Sequence, residues 1–122
     1  MYYVDTCIYL NLFKKERGLW KYAEDFFKRA KNSIIYSALV EKEFVRITGA
    51  VFVKRGKETR ITQEDAALAK IIYSEFGFRI GFADCMHIAI CKNNEAMLVT
   101  RDKELTWCAS KYVRVTLPEK AP

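Results

Sequence analysis

The chain has 122 residues, 51% hydrophobic and 30% charged, which predicts one globular domain over residues 1–122 and excludes a disordered chain. No apolar run approaches the roughly 18 residues of a membrane span, and Asp5 interrupts any signal-peptide core, so we expect a cytoplasmic protein with no membrane partner. Lysine and arginine exceed aspartate and glutamate by 21 to 15, and the resulting charge of +6 favours polyanionic partners.

Apolar runs and capping residues predict alternating strands and helices in the first half of the chain. Tyr2–Val4 and Ile34–Tyr36 are short runs of β type. A helical pattern begins at Asp5-Thr6, and Trp20–Ala30 has the apolar spacing of an amphipathic helix. Ser37 is an N-cap candidate for a third helix that extends for about ten residues.

The middle of the chain contains one clear helix between two undecided segments. Thr62, with Asp65 three residues later, predicts a capping box and a helix that ends at Gly77. Val53–Arg60 before it is interpreted as a turn or a solvated helix end. Phe78–Phe82 after it is either a linker or a short strand.

The last third continues the alternation. We expect a helix from Asp84 to about Asn93, a strand over Met97–Val99 and a helix over Lys103–Ser110. Tyr112–Val115 is the last predicted strand, and Pro118 ends the regular structure. The fold class is therefore α/β, a Rossmann-like domain with a parallel sheet of about four to five short strands flanked by helices.

The cysteines do not form a metal-binding pattern. None stands in a C-x-x-C pair, and the single histidine, His87, leaves too few ligands for a tetrahedral zinc site. We expect free thiols, buried or half-buried, in a reducing compartment. The cysteines are Cys7, Cys85, Cys91 and Cys108.

Four acidic residues stand where ligands of parallel sheets bind, outside the carboxyl ends of the strands. Asp5 follows the first strand, and Asp102 follows Met97–Val99 after two residues. Asp84, at a predicted helix start, can point to the same rim. Glu43 lies one to two turns into its helix and needs its longer side chain to reach that rim.

Each acid taken alone has another explanation. Asp5, Asp84 and Asp102 all precede predicted helices, and aspartate is a favoured N-cap. Glu43 alone is typical of a solvated helix residue. Taken together, converging carboxylates repel one another unless a positive group lies among them, either Arg101 or a divalent cation. Mg²⁺ or Mn²⁺ suits such oxygen ligands, and on a basic protein this combination indicates phosphodiester chemistry.

Four segments resemble the motifs of PIN-domain nucleases, and in particular of the VapC-type toxins of prokaryotic toxin–antitoxin pairs. YYVDTCIYL resembles the opening strand with its catalytic Asp5. SALVEKEF resembles the S-x-x-x-x-x-E helix start, which selects Glu43 over Glu41. FADCMHIAIC resembles the D-x-x-H/L-x-A helix with Asp84, and LVTRDKEL resembles the T-x-D segment with Asp102.

The resemblance extends over nearly the whole chain and implies a metal-dependent endoribonuclease. It implies hydrolysis of RNA with Mg²⁺ or Mn²⁺, leaving a 5′-phosphate and a 3′-hydroxyl. Asp5, Asp84 and Asp102 would be metal ligands, directly or through water. Glu43 would be a further ligand or would orient the attacking water, and both roles remain open.

The resemblance also implies supporting residues and partners. Thr6 and Thr100 match positions that commonly support the acidic site. Cys85 departs from the family pattern, because a small residue usually follows the third acid. Family members often form homodimers, and the toxins are silenced by an antitoxin protein, so a homodimer and an antitoxin partner are expected here.

Two further groups have competing interpretations. Lys54, Arg55, Lys57 and Arg60 either steer RNA through phosphate contacts or form an ordinary solvated turn. His87 lies one helical turn after Asp84. For His87 we favour a packed, hydrogen-bonded histidine over a ligand or a base.

Other functions fit the sequence less well. A PIN-like RNA-processing nuclease without an antitoxin remains an alternative, as does an inactive RNA-binding or assembly domain, although all four acids are present. A phospho-acceptor domain needs adjacent acids after the first strand, where only Asp5 stands. A dinucleotide-binding module needs G-x-G-x-x-G there, and no glycine lies between Asp5 and Asn11.

Overall fold

Five short strands alternate with six α-helices in a computed structural model that describes all 122 residues. The strands are β1 (Tyr2–Val4), β2 (Ile34–Tyr36), β3 (Lys57–Glu58), β4 (Met97–Val99) and β5 (Val115–Thr116). The helices are α1 (Thr6–Phe13), α2 (Trp20–Ala30), α3 (Ala38–Thr48), α4 (Gln63–Phe76), α5 (Phe82–Asn93) and α6 (Lys103–Ala109). A 3₁₀ turn, Pro118–Lys120, follows. No helix combines the length and hydropathy needed to cross a membrane.

The strands form one parallel sheet in the order β3-β2-β1-β4-β5. Tyr3 on the central strand lies opposite Ile35 on one side and Leu98 on the other. The chain builds β2 and β3 on one side of β1 and then β4 and β5 on the other, so the strand order reverses between β1 and β4. In sheets of this kind, ligands bind outside the carboxyl ends of the strands at the reversal. Asp5 and Thr100 leave the sheet at this point.

Burial of the sheet explains the apolar composition of its strands. Right-handed crossovers place α1, α2 and α3 on one face and α4, α5 and α6 on the other. Thirty buried apolar residues form one core, in which Val4, Ile34, Leu98 and Val99 are at most 2% exposed. The predicted α/β fold with four to five parallel strands is confirmed.

Several helix starts follow from local capping, as predicted. The Ser37 hydroxyl accepts a hydrogen bond from the backbone N–H of Val40 at the start of α3. Thr62 and Asp65 form a reciprocal capping box at the start of α4. Gly77 ends α4.

The segment Val53–Arg60, predicted as a turn or helix end, contains the edge strand β3 instead. Both residues of β3 are exposed, so no alternation of apolar residues marks it in the sequence. Gly56 makes the pairing possible, because its φ is +89° and a Cβ there would lie 2.1 Å from the carbonyl oxygen of Ile34. The strand depends on this close approach to β2, a tertiary contact.

Of the two alternatives for Phe78–Phe82, the structure shows the linker, and the last residue of this segment already belongs to α5. Two other boundaries differ from the prediction. Asp84 does not cap α5, which starts after Gly81 without a side-chain cap. The last strand is Val115–Thr116 and not Tyr112–Val115. The N–H groups of residues 112 and 113 donate to the carbonyl of Ala109, which ties them to the end of α6.

Candidate active site

Asp5 and Asp102 lie on either side of the reversal in strand order, joined through Thr100. The Asp5 carboxylate is buried, caps α1 through the N–H of Thr6 at 2.9 Å, and accepts the Thr100 hydroxyl at 2.8 Å. The same hydroxyl oxygen accepts the backbone N–H of Asp102 at 3.1 Å. Asp102 caps α6 through the N–H of Leu105. Asp5 and Asp102 therefore both cap helices and lie at the rim, so the two explanations considered from the sequence do not exclude each other.

Glu43 reaches the rim from α3, where two side chains hold its Oε1. The Thr6 hydroxyl donates to Oε1 at 2.6 Å, and His87 Nε2 lies 2.8 Å from the same oxygen. Burial alone would raise the pKa of Glu43, but the hydrogen bond and charge of His87, the Thr6 hydrogen bond and Arg46 outweigh it and lower that pKa. Glu41 makes no side-chain hydrogen bond and lines a groove along the helix.

His87 continues this network into the core. Its Nδ1 lies 2.7 Å from the Tyr3 hydroxyl, which lies 2.8 Å from the Ser37 hydroxyl. All three residues are completely buried. Burial raises the pKa of Tyr3 well above its usual value, so its hydroxyl stays protonated. His87 is thus a packed, hydrogen-bonded histidine, and its Nε2 also contacts one of the four acids, Glu43.

The network accommodates either protonation state of His87. With a neutral ring, Ser37 donates to Tyr3, Tyr3 donates to Nδ1 and Nε2 donates to Glu43, which as a carboxylate can only accept. With a charged ring, both ring nitrogens donate and the two hydroxyls reverse. Burial opposes the charge on His87, but the hydrogen bond and charge of Glu43 raise its pKa above the usual value, with smaller contributions from Asp5 and Asp84.

Asp84 differs from the other three acids because its carboxylate has no hydrogen-bond partner in the protein. It is half-buried on the first turn of α5. Burial is the main reason that its pKa is raised to about 6. The charge of Asp5 adds to this effect, His87 opposes it, and Asp102 and Glu43 contribute further. The other three acids are therefore close enough to act on Asp84 electrostatically.

Arg101 does not neutralise this cluster. Its guanidinium donates two hydrogen bonds to Glu119, at 2.6 and 3.1 Å. Of the two positive groups considered from the sequence, Arg101 and a divalent cation, Arg101 is therefore paired with another residue. The half-buried Asp84 is left without a positive partner, and a bound cation would stabilise its charged form against the effects of burial and of the Asp5 charge.

The donor set fits Mg²⁺ or Mn²⁺ by chemistry, because every candidate ligand is a carboxylate oxygen. No group of three or more His, Cys, Asp or Glu side chains is arranged to hold an ion directly. Mg²⁺ typically retains several waters and takes only one or two carboxylates, so a closed protein cage is not required. Asp5, Asp84 and Asp102 are the residues that could hold such an ion, directly or through water.

Of the basic residues predicted to contact RNA, Lys54 and Arg55 precede β3, whereas Arg60 follows its carboxyl end. Lys57 is on the edge strand β3, which β2 separates from the strand that leads to Asp5. The Arg55 guanidinium lies over the ring of Phe27, with 5.0 Å between its carbon and the ring centroid. Lys54 and Arg60 are exposed. The four cysteines are free, as expected.

Sequence reasoning missed Tyr3 as part of the site, and it assigned Ser37 only a capping role. A signal for Tyr3 was present, because alternate residues of a strand face the same side and Tyr3 stands two before Asp5. A tyrosine completely buried in a strand needs a partner for its hydroxyl. Which partner it meets depends on α3 and α5, which the sequence does not place.

Fold and site together define a doubly wound α/β domain with a carboxylate-lined rim at the reversal of its strand order. The family model of the PIN domain matches residues 2–107, and the chain belongs to this family. PIN domains are generally nucleases, and they typically use divalent metals.

Solved structures share this fold at low sequence identity. FitAcB from Neisseria gonorrhoeae has a TM-score of 0.72 and 17% identity, over 99% of this chain and 100% of that chain. A toxin–antitoxin complex from Klebsiella pneumoniae has a TM-score of 0.71 and 17% identity, over 97% and 98%. VapBC2 from Rickettsia felis, bound to a promoter DNA fragment, has a TM-score of 0.71 and 15% identity, over 95% and 97%. No curated protein sequence matches significantly.

Proposed function

We propose that the chain is a metal-dependent endoribonuclease that hydrolyses RNA phosphodiester bonds, with Asp5, Glu43, Asp84 and Asp102 as its acidic site. The observation that carries this proposal is Asp84, a half-buried carboxylate that has no hydrogen-bond donor in the protein and feels the charge of the buried Asp5. An environment that disfavours the charged form of a carboxylate is typical of functional sites. The basic charge of the chain supports a polyanionic substrate.

Within this site the residues have distinct roles. Asp5, Asp84 and Asp102 would hold Mg²⁺ or Mn²⁺, directly or through water. When bound, the cation supplies Lewis-acid stabilisation of the charge that develops on the phosphate. Thr100 positions Asp5 through its hydroxyl and orients the Asp102 backbone.

Glu43 would orient the attacking water. Thr6 and His87 both contact Oε1, so Oε2 is left to accept a hydrogen bond from that water. The lowered pKa of Glu43 keeps this carboxylate charged and therefore able to accept. Because Oε1 is held from two sides, the direction of Oε2 is set before substrate binds, and such positioning is a recognised source of rate enhancement.

We further propose that the nuclease is the toxin of a toxin–antitoxin pair and forms a homodimer. The solved complexes that share its fold include toxin–antitoxin assemblies, and this is the support for a partner protein. A groove of about 680 Å³ runs along α3 beside Glu43, with Val45 and Arg46 among its lining residues. An antitoxin segment in this groove would contact Glu43 directly.

The test is cleavage of labelled RNA by the purified protein with Mg²⁺ or Mn²⁺, with EDTA, and with single variants of each acid. Asp5→Asn, Asp84→Asn, Asp102→Asn and Glu43→Gln should each reduce cleavage by at least about a hundredfold, the usual loss when a group essential to the chemistry is removed. Glu41→Gln is the matched control, since it removes one charge two residues away on the same helix.

Two results would contradict this mechanism. Cleavage that survives both EDTA and the Asp5→Asn substitution would eliminate the metal–carboxylate chemistry. Equal losses from Glu41→Gln and Glu43→Gln would show that Glu43 has no special role.

The antitoxin proposal has its own test. Co-expression of the nuclease with the protein encoded beside it in the genome should inhibit cleavage and yield a stable complex on size exclusion.

A further inference from the structure

Two adjoining clefts at the β3 side of the sheet account for most of the net positive charge of the protein. Their volumes are about 690 and 380 Å³, and they share Lys31 and Gly56. The basic side chains come from the turn after α1, from the end of α2, and from β3 and the segment before it. This surface, the basic cleft, contains Lys15, Lys28, Lys31, Lys54, Arg55 and Lys57.

The charge of the basic cleft is unbalanced. Six basic side chains line it against one acid, Glu24, an excess of five where the whole chain has an excess of six. The Glu24 carboxylate is already shared between Lys21 at 3.5 Å and Lys28 at 3.7 Å. The other residues of the chain therefore have a net charge of only +1. A polyanion would be attracted to the side of the molecule that carries the basic cleft.

The basic cleft lies at the opposite end of the sheet from the acids. Met1, Asn32 and Gly56 line its smaller part, and they precede β1, β2 and β3 respectively, whereas the acids follow the carboxyl ends of the strands. A three-residue strand spans about 10 Å, so a ligand in the cleft does not contact Asp5 directly. The exposed edge strand β3 runs from the basic cleft towards the end of the sheet where the acids lie. Lys57 at its start lines the cleft, and Arg60 lies beyond its carboxyl end.

The cleft is built on defined contacts. Gly56 packs against the backbone of Ile34 so closely that no larger residue fits. The Arg55 guanidinium lies over Phe27. Lysines on an edge strand discourage aggregation, and this role alone would explain Lys57. It does not explain Lys15, Lys28 and Lys31, which are not on the sheet.

The cleft also offers an aromatic surface beside its cations. Phe13 lines it and is 50% exposed, next to Lys15 and Leu12. An exposed ring among cations is the combination that binds single-stranded nucleic acid, since bases stack on the ring while the cations follow the phosphates. Bases of a duplex are paired and stacked, and are not free to use such a ring.

We propose that the basic cleft binds the sugar–phosphate backbone of single-stranded RNA at a distance from the cleavage site. This proposal rests on the proposed nuclease function and adds a second contact region for the same substrate. RNA would run from the acids, around the β3 edge past Arg60, into the cleft. Long RNAs would engage both regions, and short ones only the acids.

The test compares Lys31→Gln/Lys54→Gln with Lys70→Gln/Lys92→Gln, a control that removes two charges from exposed positions on α4 and α5. Binding of RNA to each protein is measured in EDTA, where cleavage does not interfere. We expect the cleft variant to bind an RNA of about 16 nucleotides about tenfold more weakly and to lower the salt slope by about 1.4, since each lost phosphate contact removes about 0.7 for a single strand. The control should change by less than about twofold.

Cleavage with the metal separates this proposal from the nuclease function. The cleft variant should cleave an RNA of about four nucleotides as the wild type does, but should show a raised KM for the longer RNA. Wild-type binding and salt slope in the cleft variant, or a preference of the cleft for duplex DNA, would overturn the proposal. Absence of cleavage by the wild type, with the binding difference preserved, would overturn the nuclease function alone.

Discussion

His87 Nε2 lies 2.8 Å from Glu43 Oε1, while Nδ1 of the same ring lies 2.7 Å from the Tyr3 hydroxyl. The imidazole therefore joins a carboxylate at the rim to the centre of the sheet. Because the ring is completely buried and bonded at both nitrogens, its orientation is fixed by the fold. Glu43 is in turn held at the rim, where we propose that the attacking water and the substrate meet.

Replacing His87 with leucine tests its role as a positioning residue. Glu43 would keep only the Thr6 hydrogen bond, and the buried Tyr3 hydroxyl would lose a partner, which costs about 1–3 kcal/mol of stability. We expect kcat for RNA cleavage to fall by about tenfold or more with little change in KM, as for an interaction made mainly in the transition state.

His87→Gln is the conservative comparison, because glutamine retains a donor and an acceptor. It should recover part of the lost kcat. If His87→Leu loses stability but retains the wild-type kcat at a temperature where it is folded, the histidine has only a structural role.

Tyr3→Phe removes the hydroxyl that lies between Ser37 and His87. Both partners are completely buried and would be left with an unsatisfied hydrogen bond, so the free energy of unfolding should fall by about 1–3 kcal/mol in urea. Tyr2→Phe is the matched control on the same strand, because the Tyr2 hydroxyl bonds a backbone carbonyl at an exposed position. Equal losses in both variants would mean that the buried network adds no stability.

Asp84→Asn should stabilise the metal-free protein at neutral pH. A carboxyl group whose pKa is raised by folding binds protons more tightly in the folded state, so its ionisation reduces stability as the pH rises from about 4 to about 6. The asparagine variant avoids this loss. Because Asp84 is partly exposed and screened by water, we expect a gain of about 1–2 kcal/mol.

Thermal unfolding in EDTA across pH measures this effect. The gain should be present at neutral pH and absent below about pH 4, where the wild-type carboxyl is protonated in both states. Asp25→Asn, at an exposed position on α2, is the control for the loss of one negative charge and should not produce this gain. Added Mg²⁺ should raise the Tm of the wild type more than that of Asp84→Asn. A variant less stable than the wild type at neutral pH would contradict the unfavourable environment inferred for Asp84.

Gly56→Ala and Gly18→Ala separate two costs of replacing a glycine. Both glycines have positive φ, at +89° and +81°, and alanine in such a conformation costs about 1–2 kcal/mol. Nothing lies within 4 Å of a Cβ at Gly18, whereas a Cβ at Gly56 would collide with Ile34. Gly56→Ala should therefore lose about 1–3 kcal/mol more than Gly18→Ala in urea unfolding. Equal losses would show that β3 moves away without penalty.

The sequence by itself determined most of the secondary structure, and it named the four candidate acids. Local signals are responsible, since apolar spacing defines Trp20–Ala30, and side-chain caps at Ser37 and Thr62 start α3 and α4. The choice of Glu43 over Glu41 came from resemblance to a family motif. Its support in the structure is that Glu43 alone contacts Thr6 and His87.

Tertiary structure decided the strand order, the strand β3 and the partners of each acid. The two exposed residues of β3 carry no apolar pattern, and the strand exists because Gly56 approaches β2. The environment of Asp84 depends on carboxylates 79 and 18 positions away along the chain, Asp5 and Asp102. Hydrogen bonds and charge interactions act through space between side chains, and only the packing of α3 and α5 against β1 brings Glu43, His87 and Tyr3 together.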